Sequence, residues 1–339
     1  MKFIFIAVLM LAVFSHPAQA RNFKRITIPG AVCGNGSAYT VWLEHKNSPK
    51  LLLEFMGGGA CWSGETCFGH KIRTWIFPLP TSPVMSWLSN DLGPASMHGP
   101  LSDASMIYFP YCTGDVHAGR HDTKYHGITV HHQGFNNVTK ALAYLQTQGL
   151  INYQSFRDIV MFGASAGAHG ALNHAVSIEQ YLLPQQRKVL LLDAPGMHFG
   201  EQFWHKFPEQ YVGDIQASFA RLGINFTRQD HNLAPFIPVA AKYLKNWRIG
   251  VLQGARDVVM SEVFGNISPN NHRQLVYGER GIYNLSMLTK NVSVWLPDTL
   301  FHTFLLTPAS AQVRANQLSA AEFAELILNT NDVWYERNW

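Results

Sequence analysis

The chain reads as an α/β protein built on a doubly wound, mostly parallel sheet, with a helical insertion near residues 199–247. Three observations predict this. Short apolar runs recur along the chain with helical stretches between them, the alternation that builds parallel sheets. Each run stops at a polar or glycine-rich cluster, and ligands of such sheets bind beyond the carboxyl ends of the strands. One run, Ile159-Val160-Met161-Phe162, leads straight into Gly163-Ala164-Ser165-Ala166-Gly167 and then into a helix-like segment, so strand, tight turn and helix follow without a break.

Taken in order, strands are predicted at residues 50–56, 105–110, 159–162, 188–192, 249–252 and 292–296. The first ends at Gly57-Gly58-Gly59 and the second at Tyr111-Cys112-Thr113-Gly114-Asp115. The fourth ends at Asp193, the fifth at Gln253-Gly254-Ala255-Arg256-Asp257, and the sixth at Pro297-Asp298. Residues 134–148 carry Val138, Leu142 and Leu145 at helical spacing and predict an amphipathic helix. Residues 199–247 break the alternation with Phe203, Trp204, Phe207, Tyr211, Phe219 and Phe226. This segment is either a cap over the sheet's active edge or a pair of core-packing helices, since aromatic stripes at helical spacing serve both.

Residues 1–20 have the form of a secretory signal peptide: Lys2, an apolar stretch over 3–14, then Pro17-Ala18-Gln19-Ala20. A run that short suits export rather than a bilayer span. One domain over residues 21–339, secreted or periplasmic and without membrane insertion, is expected. The four cysteines, Cys33, Cys61, Cys67 and Cys112, then read as two disulfides. The short spacing pairs Cys61 with Cys67 and leaves Cys33 for Cys112, one of three possible connectivities. The net charge of +4 is mild and would suit an anionic polymer. No Lys/Arg run is interleaved with aromatics, so nucleic acid is not an expected partner.

Ser165, flanked by small residues on a strand-to-helix turn, has the sequence form of a nucleophile elbow. A serine needs a base to take its proton, and the base needs an orienting acid. On such scaffolds the chain order is serine, acid, histidine. His302 follows a late strand and is the candidate base. Asp257 is the candidate acid, with Asp193 as runner-up, while Asp298 reads as a turn former. Gly57, Gly58 and Gly59 follow an early strand, where backbone N–H groups can turn inward with no Cβ in the way. With the N–H of Ala166 they would form an oxyanion hole.

Several separated blocks resemble the pectin acetylesterase/Notum family of serine esterases. They are Cys33-Gly34-Asn35-Gly36-Ser37, Leu53-Glu54-Phe55-Met56-Gly57-Gly58-Gly59-Ala60-Cys61-Trp62, Tyr111-Cys112-Thr113-Gly114-Asp115-Val116-His117-Ala118-Gly119, His132-Gln133-Gly134-Phe135-Asn136-Asn137-Val138, and residues 163–167. The order Ala60-Cys61-Trp62 departs from the family's pattern. The resemblance implies an α/β-hydrolase-like fold, a Ser165–Asp257–His302 triad, and an oxyanion hole from Gly57, Gly58, Gly59 and Ala166. It also places Trp62 at the rim of the acyl pocket, with Asp115, His117 and Asp193 as further substrate contacts. A structural role in supporting the disulfide loop is the other reading of Asp115 and His117.

The expected activity is hydrolysis of a carboxylic ester, first of all removal of acetyl groups from an acetylated polysaccharide, with no metal or organic cofactor. Two alternatives stay open: a lipid or fatty-acyl esterase, and a carbohydrate- or lipid-binding protein without turnover. The clustered His121, His126, His131 and His132 raise a metal site as a third, although they lack metal-ligand spacing.

Overall fold

The structure is a computed structural model that describes residues 22–69, 74, 76 and 99–329. The leader expected over residues 1–20 lies outside them. The strands are β1 (Lys24–Val32), β2 (Ala38–Glu44), β3 (Lys50–Phe55), β4 (Ser105–Phe109), β5 (His121–Tyr125), β6 (Ile128–His132), β7 (Asp158–Ala164), β8 (Arg187–Asp193), β9 (Trp247–Leu252) and β10 (Val292–Trp295). Eight of them form one sheet in the order β1-β2-β4-β3-β7-β8-β9-β10. β2 pairs antiparallel with β1 and β4, and every later neighbour is parallel.

Helices α1 (Gly64–Phe68), α2 (Gly134–Thr147), α3 (Ala166–Glu179), α4 (Glu209–Ala220), α5 (Ile237–Tyr243), α6 (Pro269–Tyr277), α7 (Ile282–Ser286) and α8 (Ala320–Asn329) flank the sheet. Alternation along β3 shows how the two faces are filled. Leu51, Leu53 and Phe55 enter one core with Val138, Leu142 and Leu145 of α2 and Ala168, Ala171 and Ala175 of α3. Leu52, on the opposite pleat, enters a second core closed by Phe323, Ile327 and Leu328 of α8. A sheet buried on both faces explains why its parallel strands read as continuous apolar runs. The expected α/β-hydrolase-like class is the one found.

All six predicted strands and the helix over 134–147 are present. Three further features were not foreseen. β1 holds Pro29 and Gly30, and its pairing with β2 shifts register between Thr27 and Val32, so it shows no clean apolar run. β5 and β6 form a separate hairpin whose outer residues are exposed. Residues Val259–Gly265 wind as a π-helix directly after Asp257.

Both disulfides pair as the spacing suggested. Cys33–Cys112 joins the end of β1 to the segment after β4, and Cys61–Cys67 closes a loop around α1. Such bonds fit an oxidising compartment. No helix among the described residues is long and apolar enough to cross a membrane. The parallel topology brings the segments after β3, β7, β8, β9 and β10 to one edge of the sheet, and every candidate catalytic residue sits there.

Candidate active site

Ser165 follows β7 with φ 56° and ψ −124°, a positive φ that costs energy in any residue with a side chain. The turn is tight enough to require both flanking glycines. A Cβ on Gly163 would lie 2.1 Å from the Gly167 carbonyl oxygen, and one on Gly167 would lie 2.0 Å from that of Phe55. The elbow is pinned from behind, since Ser165 N–H donates to the Asp193 carbonyl at 2.8 Å. Its hydroxyl therefore rises at the N-terminus of α3, whose exposed N–H groups favour negative charge.

The glycine loop packs against this elbow. A Cβ on Gly57 would lie 2.4 Å from the Ala164 carbonyl oxygen. Gly58 and Gly59 have φ of 150° and 74°. Two carbonyls of the loop are held by other side chains: that of Gly59 accepts from Tyr111 Oη at 2.9 Å, and that of Met56 is bonded to His117 Nε2 at 2.9 Å. Gly59, Ala60, Ser165 and Ala166 border one cavity.

The acid and base meet on the loops after β9 and β10. His302 Nδ1 lies 2.7 Å from Asp257 Oδ2. Asp257 is fully buried, and its carboxylate also accepts from Val259 N and Met260 N at 2.9 Å each and from Gln253 Nε2 at 2.9 Å. Because the carboxylate accepts, Nδ1 is the protonated ring nitrogen and Nε2 carries the lone pair. Nε2 is buried with no hydrogen-bond partner among the described residues. The bond that would join it to Ser165 is thus not formed here; such bonds are often long in free enzymes and tighten on substrate binding. Backbone bonds from Ala255, Arg256 and Val258 to the carbonyls of Pro297, Thr299 and Leu300 stitch the two loops together. Asp298 adds exposed ion pairs to Arg256 and Arg273 at 2.8 and 3.0 Å.

Asp193 ends β8 between these two assemblies. Its carboxylate accepts from Phe304 N at 2.9 Å and Leu305 N at 2.8 Å, just beyond His302, while its carbonyl holds the elbow. Burial raises its pKa to about 7, against the pull of those two amides.

The cavity beside Ser165 is partly open to solvent, and its empty space, the opening included, is about 610 Å3. Its walls come mainly from the segment between β8 and β9, which is both cap and core: Phe199, Phe203, Trp204, Phe207 and Phe219 pack in the main core and line the cavity. Tyr211 Oη donates to the Gly114 carbonyl at 3.0 Å and Trp204 Nε1 to that of Asp230 at 3.1 Å, so both polar atoms are bonded to backbone outside the cavity lining. Lys206 lies over the Phe203 ring at 4.6 Å, and burial lowers its pKa to about 8.

Four residues expected as substrate contacts stand elsewhere. Trp62 sits behind the wall, against Phe207 and Phe264 at 4.6 and 6.3 Å. Asp115 and His117 are buried beneath the glycine loop. The Asp115 carboxylate accepts from Thr113 Oγ1 and Gly134 N at 2.7 Å each and from His117 N at 3.1 Å. This holds Val116 and His117 at positive φ and presents Val116 to the cavity. Asp193 makes the contacts already described. None of the four lines the cavity.

Sequence reasoning missed His169 and Tyr111. His169 lines the cavity; its position four residues past Ser165, one turn along α3, was the available signal. The clustered histidines are taken up by other partners: His121 and His131 pair with Asp214 and Asp122 at 2.6 and 2.9 Å, and His132, its ring 5.2 Å from that of His121, bonds the Thr113 carbonyl through Nδ1 at 2.7 Å. Cys61, Cys67 and His132 approach within 4.8 Å of one another, but both sulfurs are spent in a disulfide and offer no thiolate.

No curated protein matches the chain. A family model described as pectinacetylesterase matches residues 18–211, a span that holds both disulfides, the glycine loop and the elbow. With more than half of its length matched, and an α/β-hydrolase-like sheet beneath the matched motifs, the chain belongs to the pectinacetylesterase family.

Proposed function

We propose that this chain is an exported serine carboxylic-ester hydrolase in which Ser165 is the nucleophile, His302 the base and Asp257 the acid that orients it. The observation that carries the reading is the 2.7 Å contact of His302 Nδ1 with buried Asp257, which leaves Nε2 unpartnered at the edge where the elbow presents Ser165. His302 Nε2 takes the Ser165 proton as the hydroxyl oxygen attacks the ester carbonyl. N–H groups of residues 57–59 and of Ala166 receive the oxyanion. The intermediate collapses, His302 returns the proton to the leaving alcohol, and a water activated by Nε2 then releases the acid. Trp62, Asp115, His117 and Asp193 act as supports for this constellation.

Family membership favours an acetyl ester of a polysaccharide as substrate. The apolar, aromatic lining of the cavity favours a second reading, an ester of a longer acyl group. Hydrolysis of p-nitrophenyl acetate by wild type and Ser165→Ala tests the mechanism, and equal rates would remove the nucleophile. Acetate release from acetylated pectin, set against hydrolysis of p-nitrophenyl octanoate, separates the two substrates. A folded protein that no fluorophosphonate probe labels would point to a binder instead.

A further inference from the structure

Consecutive glycines leave the backbone beside Ser165 free to take many conformations, and Gly58 and Gly59 hold φ of 150° and 74°. An oxyanion hole needs its N–H groups fixed before charge develops, so the loop must be held from outside. Two side chains of the segment after β4 bond to it, one at each end. Tyr111 Oη donates to the Gly59 carbonyl at 2.9 Å and itself accepts from Val116 N at 2.8 Å. Burial raises the Tyr111 pKa well above the usual phenol value, so the hydroxyl keeps its proton. His117 Nε2 lies 2.9 Å from the Met56 carbonyl. Burial lowers the pKa of this imidazole, which is neutral at neutral pH. Since a carbonyl only accepts, Nε2 is the nitrogen that carries the proton. A peptide unit is planar and trans, so a held carbonyl also fixes the next residue's N–H on the opposite side. His117 thereby sets the N–H of Gly57, and Tyr111 sets that of Ala60.

We propose that Tyr111 and His117 are positioning residues of the oxyanion hole, clamping the glycine loop at its two ends. The inference rests on the serine-esterase reading of the site. The clamp is referenced to the nucleophile's own helix. His117 is wedged against α3, where a Cβ on Gly170 would lie 2.7 Å from its Cδ2, and a Cβ on Gly57 would lie 3.4 Å from that of Ser165. The Tyr111 and His117 rings stand 4.9 Å apart, and Cys33–Cys112 ties their segment to β1. Val116 N–H, the Tyr111 hydroxyl and the Gly59 carbonyl form a chain in which each bond polarises the next. Neither side chain lines the cavity, so each acts through a backbone carbonyl.

The test measures kcat/KM for p-nitrophenyl acetate, the Ki of phenyl trifluoromethyl ketone and a melting curve in wild type, Tyr111→Phe, His117→Leu and His117→Gln. Ser165 Oγ adds to the ketone's carbonyl carbon, its proton passes to His302, and the resulting alkoxide occupies the oxyanion hole without turnover. Tyr111→Phe removes only the hydroxyl and is expected to lower kcat/KM about tenfold to a hundredfold, with Ki rising by the same factor. His117→Leu is expected to do likewise. His117→Gln, whose amide can still donate to the Met56 carbonyl, is expected to recover most of the loss. A merely structural role would lower the melting midpoint and leave both constants of the folded protein unchanged. Unchanged constants in the folded phenylalanine and leucine variants overturn the clamp, and so does a fall in kcat/KM that leaves Ki where it was. If one of these variants does not fold, the other decides by the same readout. Failure of the underlying reading looks different: Ser165→Ala then hydrolyses the acetate as fast as wild type, or wild type does not hydrolyse it at all.

Discussion

The half of the molecule that carries Ser165 and the half that carries Asp257 and His302 are built by different means. Up to the end of α3, geometry comes from covalent and steric constraint: two disulfides, three consecutive glycines, and an elbow whose flanks admit no Cβ. Beyond it the chain has no cysteine. There the base is placed by contacts distant in sequence, His302 on Asp257 45 residues away and Phe304 on Asp193 111 residues away. The first half is rigid by covalent and steric constraint, the second by convergent hydrogen bonds. Apart from Ser165 and the glycine loop, damage to the first should therefore read out mainly as stability, and damage to the second mainly as turnover.

The largest expected effect lies in the second half. Asp257→Asn keeps the shape but lets Nδ1 face a donor, and kcat is expected to fall about ten-thousandfold with little change in thermal midpoint; ester hydrolysis alongside a melting curve checks both. In the first half the opposite is expected. Replacing Cys33 and Cys112 by serine should lower stability by about 2–5 kcal/mol, with kcat preserved at temperatures where the variant stays folded, as urea titration and steady-state rates would show.

Asp193 joins the halves and sharpens the contrast. Asp193→Asn is expected to lower kcat by up to about a hundredfold through a misplaced His302, with KM unchanged. It also carries a pH signature. Its pKa is raised on folding, so its contribution to stability is full below the ordinary carboxylate range and is lost as pH rises through about 7. Denaturant midpoints across that window should decline with pH in wild type and decline less in the asparagine variant. The smallest effect belongs to Arg256→Ala, whose exposed pair with Asp298 is worth less than about 1 kcal/mol; a marked loss of activity there would mean the loop depends on it more than its exposure implies.

The same division governs what could be read without coordinates. The elbow and glycine loop are legible because each needs particular residues at adjacent positions, and Gly163, Gly167 and Gly57 stand where a side chain cannot. Asp257 and His302 were nameable from chain order, yet nothing local to them announces their 2.7 Å contact. Orientation was not legible. Trp62, Asp115, His117 and Asp193 lie at or just beyond the carboxyl ends of strands, but whether such a side chain points into the cavity or behind its wall depends on partners such as Phe207, Gly134 and Phe304. The aromatic segment could be read as cap or core, and burial shows that its rings serve as both.

Tying the Trp204 indole N–H and the Tyr211 hydroxyl to backbone carbonyls has one more consequence. A chamber walled by aromatic rings can gauge how far a chain reaches but has no vocabulary for what the chain is. Neighbouring homologues differ in such a pocket by only ~10–200-fold per methylene. On the proposed mechanism, sharper selection among esters then falls to the groups that meet the alcohol, since a site that hydrogen-bonds a hydroxyl rejects the analogue lacking it far more strongly.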